Sequence, residues 1–163
     1  MALTDIFNAI HDTPMGEAMR ESAWMFPTVE SLHVVALVLV AGTISIVDLR
    51  LLGVSSRNHA VTKLSTELLP WTWSAFVLAA ITGALLFTSN SVKYAENIPF
   101  RIKMVLLACA GLNMLIFHFV TWKSVANWDN STATPGAAKL AGALSLIFWI
   151  GVIAAGRWIG FTI

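Results

Sequence analysis

Charge is what this sequence has least of. Only 12% of its 163 residues are Asp, Glu, Lys or Arg, about half of the ~25% found in a soluble domain. Hydrophobic residues make up 57%. That balance excludes an ordinary water-soluble domain and predicts an integral membrane protein, of a length that suits one bundle rather than two domains. A net charge of +1 leaves no basic surface for nucleic acid. Cys109 is the single cysteine, which excludes an internal disulfide and any cysteine-rich metal site. The scattered histidines His11, His59 and His118 offer no zinc spacing. No serine triad and no phosphate-cradling glycine loop is visible, and there is no internal repeat. The start, Met1 to Asp5, lacks a basic stretch followed at once by an apolar run, so no cleavable signal is expected.

What is present in quantity is long apolar runs. Segments at about 27–53, 64–89, 99–122 and 137–162 each exceed the ~20 residues that cross ~30 Å of hydrocarbon. Polar breaks at Ser55 to His59, Asn90 to Asn97 and Asn127 to Pro135 separate them, and short connections imply an up-down-up-down four-helix bundle. The fold class expected is therefore an all-α integral membrane bundle, residues 27–163. A preceding arm, residues 1–26, is read as an interfacial amphipathic helix. Leu3, Ile6, Phe7 and Ile10 share one of its faces, and Pro14 interrupts it.

Arg57, Lys63, Lys123 and Lys139 flank the first and third loops, against Arg20 and Lys93 on the other side. The excess of positive charge predicts a bacterial inner-membrane protein with both termini periplasmic. Trp71, Trp73, Trp122 and Trp128, with Trp24 and Trp158 at the opposite side, read as interfacial belts; Trp149 falls mid-span. Small residues at four-residue spacing (Ala75, Ala79 and Gly83; Gly151 and Ala155; Gly156 and Gly160) allow close helix contact, including contact between copies in a homo-oligomer.

Against this apolar background a few ionisable groups stand out. Each costs about 2.5–3.5 kcal/mol to place at a span's centre, so each needs a partner or a role. With a rise of about 1.5 Å per residue, His33 lies about 9 Å into the first span, and Lys103 about 6 Å into the third from the same side. Arg157 reaches a similar depth from the chain's end, and Glu30 sits one turn above His33. One reading is structural: Glu30 pairs with Lys103 or Arg157, and His33 caps a carbonyl. The other is a cofactor pocket. A neutral imidazole is a metal ligand and the proximal ligand of many haems. Lys103 and Arg157 would then hold anionic substituents such as propionates, and Ala41 and Gly42 would leave room for a flat ring. His118 lies about 20 Å in depth from His33, too far to share one iron; it is expected at headgroups or beside Asp48 or Arg50. Met104 and Met114 read as packing, and Asn113 as an interhelical hydrogen bond.

The first span, with Leu32-His33, Ala41-Gly42 and Leu49-Arg50-Leu51, resembles the first conserved stretch of the four-helix protoporphyrinogen oxidase family (HemJ type). Phe100 to Leu107 resembles that family's lysine-bearing helix. The same helix, with Asn113 ten residues after Lys103, is similar to one in CopD-type copper-resistance membrane domains. The whole chain also looks like a family of uncharacterised bacterial four-helix membrane proteins. The first resemblance implies haem b on His33 with Lys103 essential nearby.

The expectation is therefore a haem b-binding inner-membrane protein with a redox or electron-transfer role, an oxidoreductase if it is an enzyme. His33 is the metal ligand, His33, Lys103 and Arg157 bind the cofactor, and Glu30 and Lys103 handle protons or substrate. Quinone is a candidate redox partner. The alternatives are a copper-related transport or accessory protein and a non-catalytic oligomeric bundle.

Overall fold

The computed structural model describes residues 3–56, 58–129 and 133–163. Arg57, counted above in the first loop's charge, lies outside the described residues. So do Met1 and Ala2 of the signal reading and residues 130–132 of the third loop. Among the described residues all regular structure is helical: α1 (Leu3–His11), α2 (Pro14–Glu21), α3 (Met25–Leu52), α4 (Val61–Ser89), α5 (Ser91–Glu96), α6 (Ile98–Ile116) and α7 (Gly136–Thr162). After Ile116, α6 continues through a wide π turn (Phe117–Thr121) and a tight 3-10 stretch (Trp122–Asn127). Four of these helices, α3, α4, α6 with its continuation, and α7, are long and apolar enough to cross a membrane.

The local signals explain the boundaries. Thr13 caps α2 by accepting the Gly16 N–H on its hydroxyl at 3.2 Å, with Pro14 in the first turn where its missing N–H costs nothing. Asn97 does the same for α6 through the Phe100 N–H at 3.0 Å, ahead of Pro99. α3 stops at Gly53, whose φ of 72° allows the left-handed turn that returns its N–H to Arg50 and the Val54 N–H to Leu49. The second loop, expected to be irregular, contains the short helix α5. Pro70 lies within α4 without ending it.

α3 packs against both α4 and α7, and α7 against α6. α4 and α6 do not pack closely along their length. They meet at one end, where the rings of Phe87 and Phe100 stack at 5.5 Å. Small residues make the close contacts: Ala75 and Ala79 of α4 and Ala36 of α3 are buried. A Cβ on Gly151 would lie 2.9 Å from Leu106, so α6 and α7 touch there. The small-residue spacing is thus used largely within one chain, although Gly160 has open space around it.

The amphipathic arm docks on the bundle's end. Gly16 is required by close approach, since a Cβ there would lie 2.6 Å from the His11 carbonyl oxygen and 2.9 Å from that of Thr88. Arg20 donates to the carbonyls of His11 at 2.8 Å and Ser89 at 3.4 Å, placing a cation at the C-terminal ends of α1 and α4, where the helix dipoles favour one. Ser91 donates to the Phe7 carbonyl at 2.6 Å.

The opposite end is tied by Arg50, which is fully buried. Its Nε donates to the His59 carbonyl at 2.8 Å, and its terminal nitrogens donate to the Asp129 carbonyl at 3.2 Å and the Thr134 hydroxyl at 3.4 Å. The first and third loops are therefore held by one guanidinium. Asp129 in turn caps α4 from a distant loop, accepting the Thr62 N–H at 2.8 Å and the Thr62 hydroxyl at 2.6 Å. Trp128, expected in the interfacial belt, is instead buried in an apolar cluster with Leu51, Val61 and Ala138. Trp128 and Asp129 thus turn in against the end of the bundle rather than along the lipid. Trp24, Trp71 and Trp158 are exposed, as a belt requires.

Burial alone raises the Asp129 carboxyl, but the Thr62 and Val61 hydrogen bonds and the Arg50 charge together hold it below its ordinary value. A lowered native pKa stabilises the fold above the unfolded value near ~3.9, and that contribution is lost as pH falls through the native value. Asp129→Ala is expected to destabilise the protein by about 1 kcal/mol, the scale of a lost helix cap. Thermal unfolding across pH should show the gap between variant and wild type closing below about pH 4.

Candidate functional site

The bundle's interior is apolar except where spans bring side chains of matching polarity together. On α3, Ala36 and Val40 line the buried face with His33 one turn above. His33 is half-buried and contacts two other spans, α4 and α6. Its Nδ1 is 3.0 Å from the Thr82 hydroxyl of α4, and its Nε2 is 3.4 Å from Lys103 Nζ of α6. Its Cε1 lies where Gly83 of α4 leaves room, 3.0 Å from the position a Cβ would take. Lys103 Nζ lies 3.6 Å from the corresponding position on Gly156 of α7. All four spans thus border one polar centre, and Gly83 provides room for the imidazole.

The hydrogen bonds assign the imidazole's proton. The Thr82 hydroxyl donates to the Leu78 carbonyl at 2.7 Å, the usual habit of a threonine in a membrane helix. It can then only accept from His33, so Nδ1 carries the hydrogen. Nε2 is left with its lone pair facing the bundle interior, where it accepts from the Lys103 ammonium. A ring nitrogen oriented through the other nitrogen's hydrogen bond is also how a metal-ligating histidine is held.

The remaining predicted residues lie elsewhere. Glu30 is exposed one turn above His33, with no ion pair to Lys103 or Arg157 among the described residues, and its charge acts on Tyr94 of α5. Burial first, and then Glu30, raise the Tyr94 phenol above its usual value, while a hydrogen bond with Ser89 opposes the rise. Arg157 is exposed and lies over the Phe161 ring, 4.7 Å from its centroid, one turn along α7. Ala41 is packed, whereas Gly42 opens onto empty space at the outside. His118 neither meets Asp48 nor Arg50; it is exposed and stacks flat on Trp122 at 5.5 Å. Asn113 makes the interhelical bond expected of it, donating to the Ala141 carbonyl of α7 at 2.9 Å. Met104 and Met114 are both exposed.

Sequence reasoning did not single out Thr82 as the partner of His33. Trp71 and Ser74 face outward, while Ala75 and Ala79 form the buried face of α4. The signal that could have found Thr82 was its position one turn after Ala75-x-x-x-Ala79.

Two open clefts, of about 430 and 410 Å³, lie at the capped end of the bundle. The first is lined by Arg20, Phe26, Ser89 and Tyr94 among others, the second by Lys93, Glu96, Asn97 and Thr162. Neither is lined by His33 or Lys103. No group of three or more His, Cys, Asp or Glu side chains placed to hold a metal ion occurs among the described residues.

These features define an all-α membrane-spanning protein, a four-helix bundle with an interior histidine–lysine pair. The chain belongs to a family of unknown function, DUF6644, which matches it over residues 19–162. No curated protein and no solved structure matches the chain.

The Gly83 contact makes the site testable without a ligand. Gly83→Ala is expected to push the His33 ring off Thr82, whereas Gly42→Ala, in open space, leaves it in place. Nitrogen-15 histidine spectra in lipid should show the Nδ1–H tautomer in wild type and Gly42→Ala. That pattern should be lost in Gly83→Ala and Thr82→Val.

Proposed function

We propose that this chain is a redox-active protein of the bacterial inner membrane, with haem b bound through His33. The observation that carries the reading is the imidazole set between the Thr82 hydroxyl, 3.0 Å from Nδ1, and Lys103 Nζ, 3.4 Å from Nε2; with the Thr82 hydrogen given to the Leu78 carbonyl, Nε2 would hold the lone pair. That is the donor chemistry an axial haem ligand needs. The fit has one condition: Lys103 Nζ stands 3.4 Å from Nε2, so iron there requires the lysine to move aside. Once displaced, the lysine remains a cation at the same depth, suited to an anionic substituent of the cofactor. Haem would supply one-electron chemistry; the chain would orient His33, hold Lys103 close by and keep bulk water from the centre. The resemblance of the first span and the Lys103 helix to the HemJ-type oxidases supports the same assignment. Arg157, over Phe161 on the outer face of α7, and Glu30, near Tyr94, lie outside this centre and would have to turn toward it to serve propionate binding or proton exchange. Both termini would be periplasmic, and exposed small residues such as Gly160 would serve a homo-oligomer.

The same 3.4 Å distance supports a second reading. A lysine ammonium hydrogen-bonded to a neutral imidazole is a proton-donating pair, and a lipid-borne electron carrier such as a quinone presents carbonyl oxygens to such donors. α4 and α6, which bring Thr82 and Lys103 to this centre, do not pack closely along their length, and a lipid-borne molecule would enter between them. Nothing in the placement of Met104 and Met114 favours the copper reading.

The test is an absorption spectrum of detergent-purified protein from haem-replete cells. The expected result is a Soret band that His33→Ala abolishes and that Lys103→Ala perturbs. A folded, colourless protein would overturn the haem assignment, and quinone binding that depends on His33 and Lys103 would then mark the second reading.

A further inference from the structure

A second ionisable group of α3 lies far from His33. Asp48 is fifteen residues further along the helix, about 22 Å at ~1.5 Å per residue, and only 4% exposed. α7 presses directly on it. A Cβ at Gly142 would lie 3.0 Å from the Asp48 carbonyl oxygen and 3.2 Å from Leu51 Cβ. One turn on, Ser145 hydrogen-bonds the Asp48 carboxyl. The other carboxyl oxygen, Oδ2, has no hydrogen-bond partner among the described residues.

Among the described residues, the charges that could balance an ionised carboxylate are turned elsewhere. The Arg50 guanidinium is directed to the His59 and Asp129 carbonyls and the Thr134 hydroxyl. Lys63 and Glu67 of α4, His118 and Lys123 in the continuation of α6, and Lys139 of α7 are all exposed. The apolar cluster of Leu51, Val61, Trp128 and Ala138 packs at the same end of the bundle. A buried carboxylate with one hydroxyl donor and no cation is poorly compensated; a buried carboxylic acid carries no charge to compensate. A metal cation in place of the proton would need a shell of about six oxygens, and the carboxyl and the Ser145 hydroxyl supply only part of one.

We propose that Asp48 is a proton-binding site of the membrane domain, held by Ser145 and separate from the His33–Lys103 centre. The site takes one proton onto a carboxylate oxygen, forming the O–H bond of a neutral acid. It lies toward the α3–α4 loop side of the bundle, opposite the arm. The fold thus carries a titratable group towards each face of the membrane on one helix. This assignment does not depend on haem or on any ligand at His33.

The chain has four aspartates, Asp5, Asp12, Asp48 and Asp129, so carboxyl-labelled aspartate reports Asp48 with little overlap. The experiment uses the full chain in lipid nanodiscs at neutral pH in a choline buffer free of sodium and potassium. Infrared and carbon-13 spectra of the labelled protein are recorded for wild type, Asp48→Asn and Ser145→Ala. The expected result is one protonated-carboxyl carbonyl band, absent from Asp48→Asn and shifted to higher frequency in Ser145→Ala, where the carbonyl loses its donor. If Asp48→Asn does not fold, the wild-type carbon-13 shift and the Ser145→Ala displacement carry the test. A fully ionised Asp48 at neutral pH overturns the proposal. So does a band that disappears when sodium or potassium is added at constant pH, which would make the occupant a metal cation. The Soret band reads His33 alone, so either result leaves the haem assignment to be judged separately.

Discussion

Within a bilayer a polar side chain has other helices to bond to and almost nothing else. That constraint governs His33. Its two ring nitrogens are satisfied from two different helices, Thr82 on α4 and Lys103 on α6, and neither partner is near it in sequence. The glycine at 83 follows from the same demand, because a side chain there would crowd the imidazole that must reach across. Membrane helices gain little hydrophobic free energy from association, since lipid is as apolar as their neighbours, so packing by small residues and a few interhelical hydrogen bonds set the arrangement. Here one close glycine contact, that of Gly83, lies beside those hydrogen bonds.

The two ends of the bundle meet the constraint differently. At the capped end, Arg20 gathers the carbonyl ends of α1 and α4, and the arm closes over the rings of Phe7, Phe87, Tyr94 and Phe100. At the other end, Arg50 draws the first and third loops together and Asp129 caps α4 across that junction. A fully buried arginine is tolerated there because backbone and side-chain oxygens converge on its guanidinium. Between these ends α3 is the common neighbour of α4 and α7. That explains why both buried ionisable centres involve it.

The spans, their approximate limits and their alternating directions were legible from hydropathy and loop length. So was the shared depth of His33 and Lys103: equal depth on parallel helices is a one-dimensional measurement, and rise per residue suffices for it. Arg157 satisfied the same depth rule and failed to join, because depth does not specify which way around α7 a side chain points. Its guanidinium lies over Phe161 instead. Trp128 failed for a related reason. Its place in a polar loop suggested the interface, but the loop folds inward and buries the indole against Leu51 and Val61.

The sequence by itself determined that the chain crosses the membrane as four helices and at which depths its few ionisable groups enter the apolar layer. Those properties depend on the linear order of polar and apolar residues against a solvent of known thickness. Tertiary structure alone decided that Thr82 orients His33, that Lys103 rather than Glu30 or Arg157 shares its centre, and that Asp48 meets Ser145 with one oxygen unpartnered. Rotation of each helix about its own axis, and the choice of which helices touch, arise from side-chain packing between segments remote in the chain. No periodicity within a single helix encodes that choice.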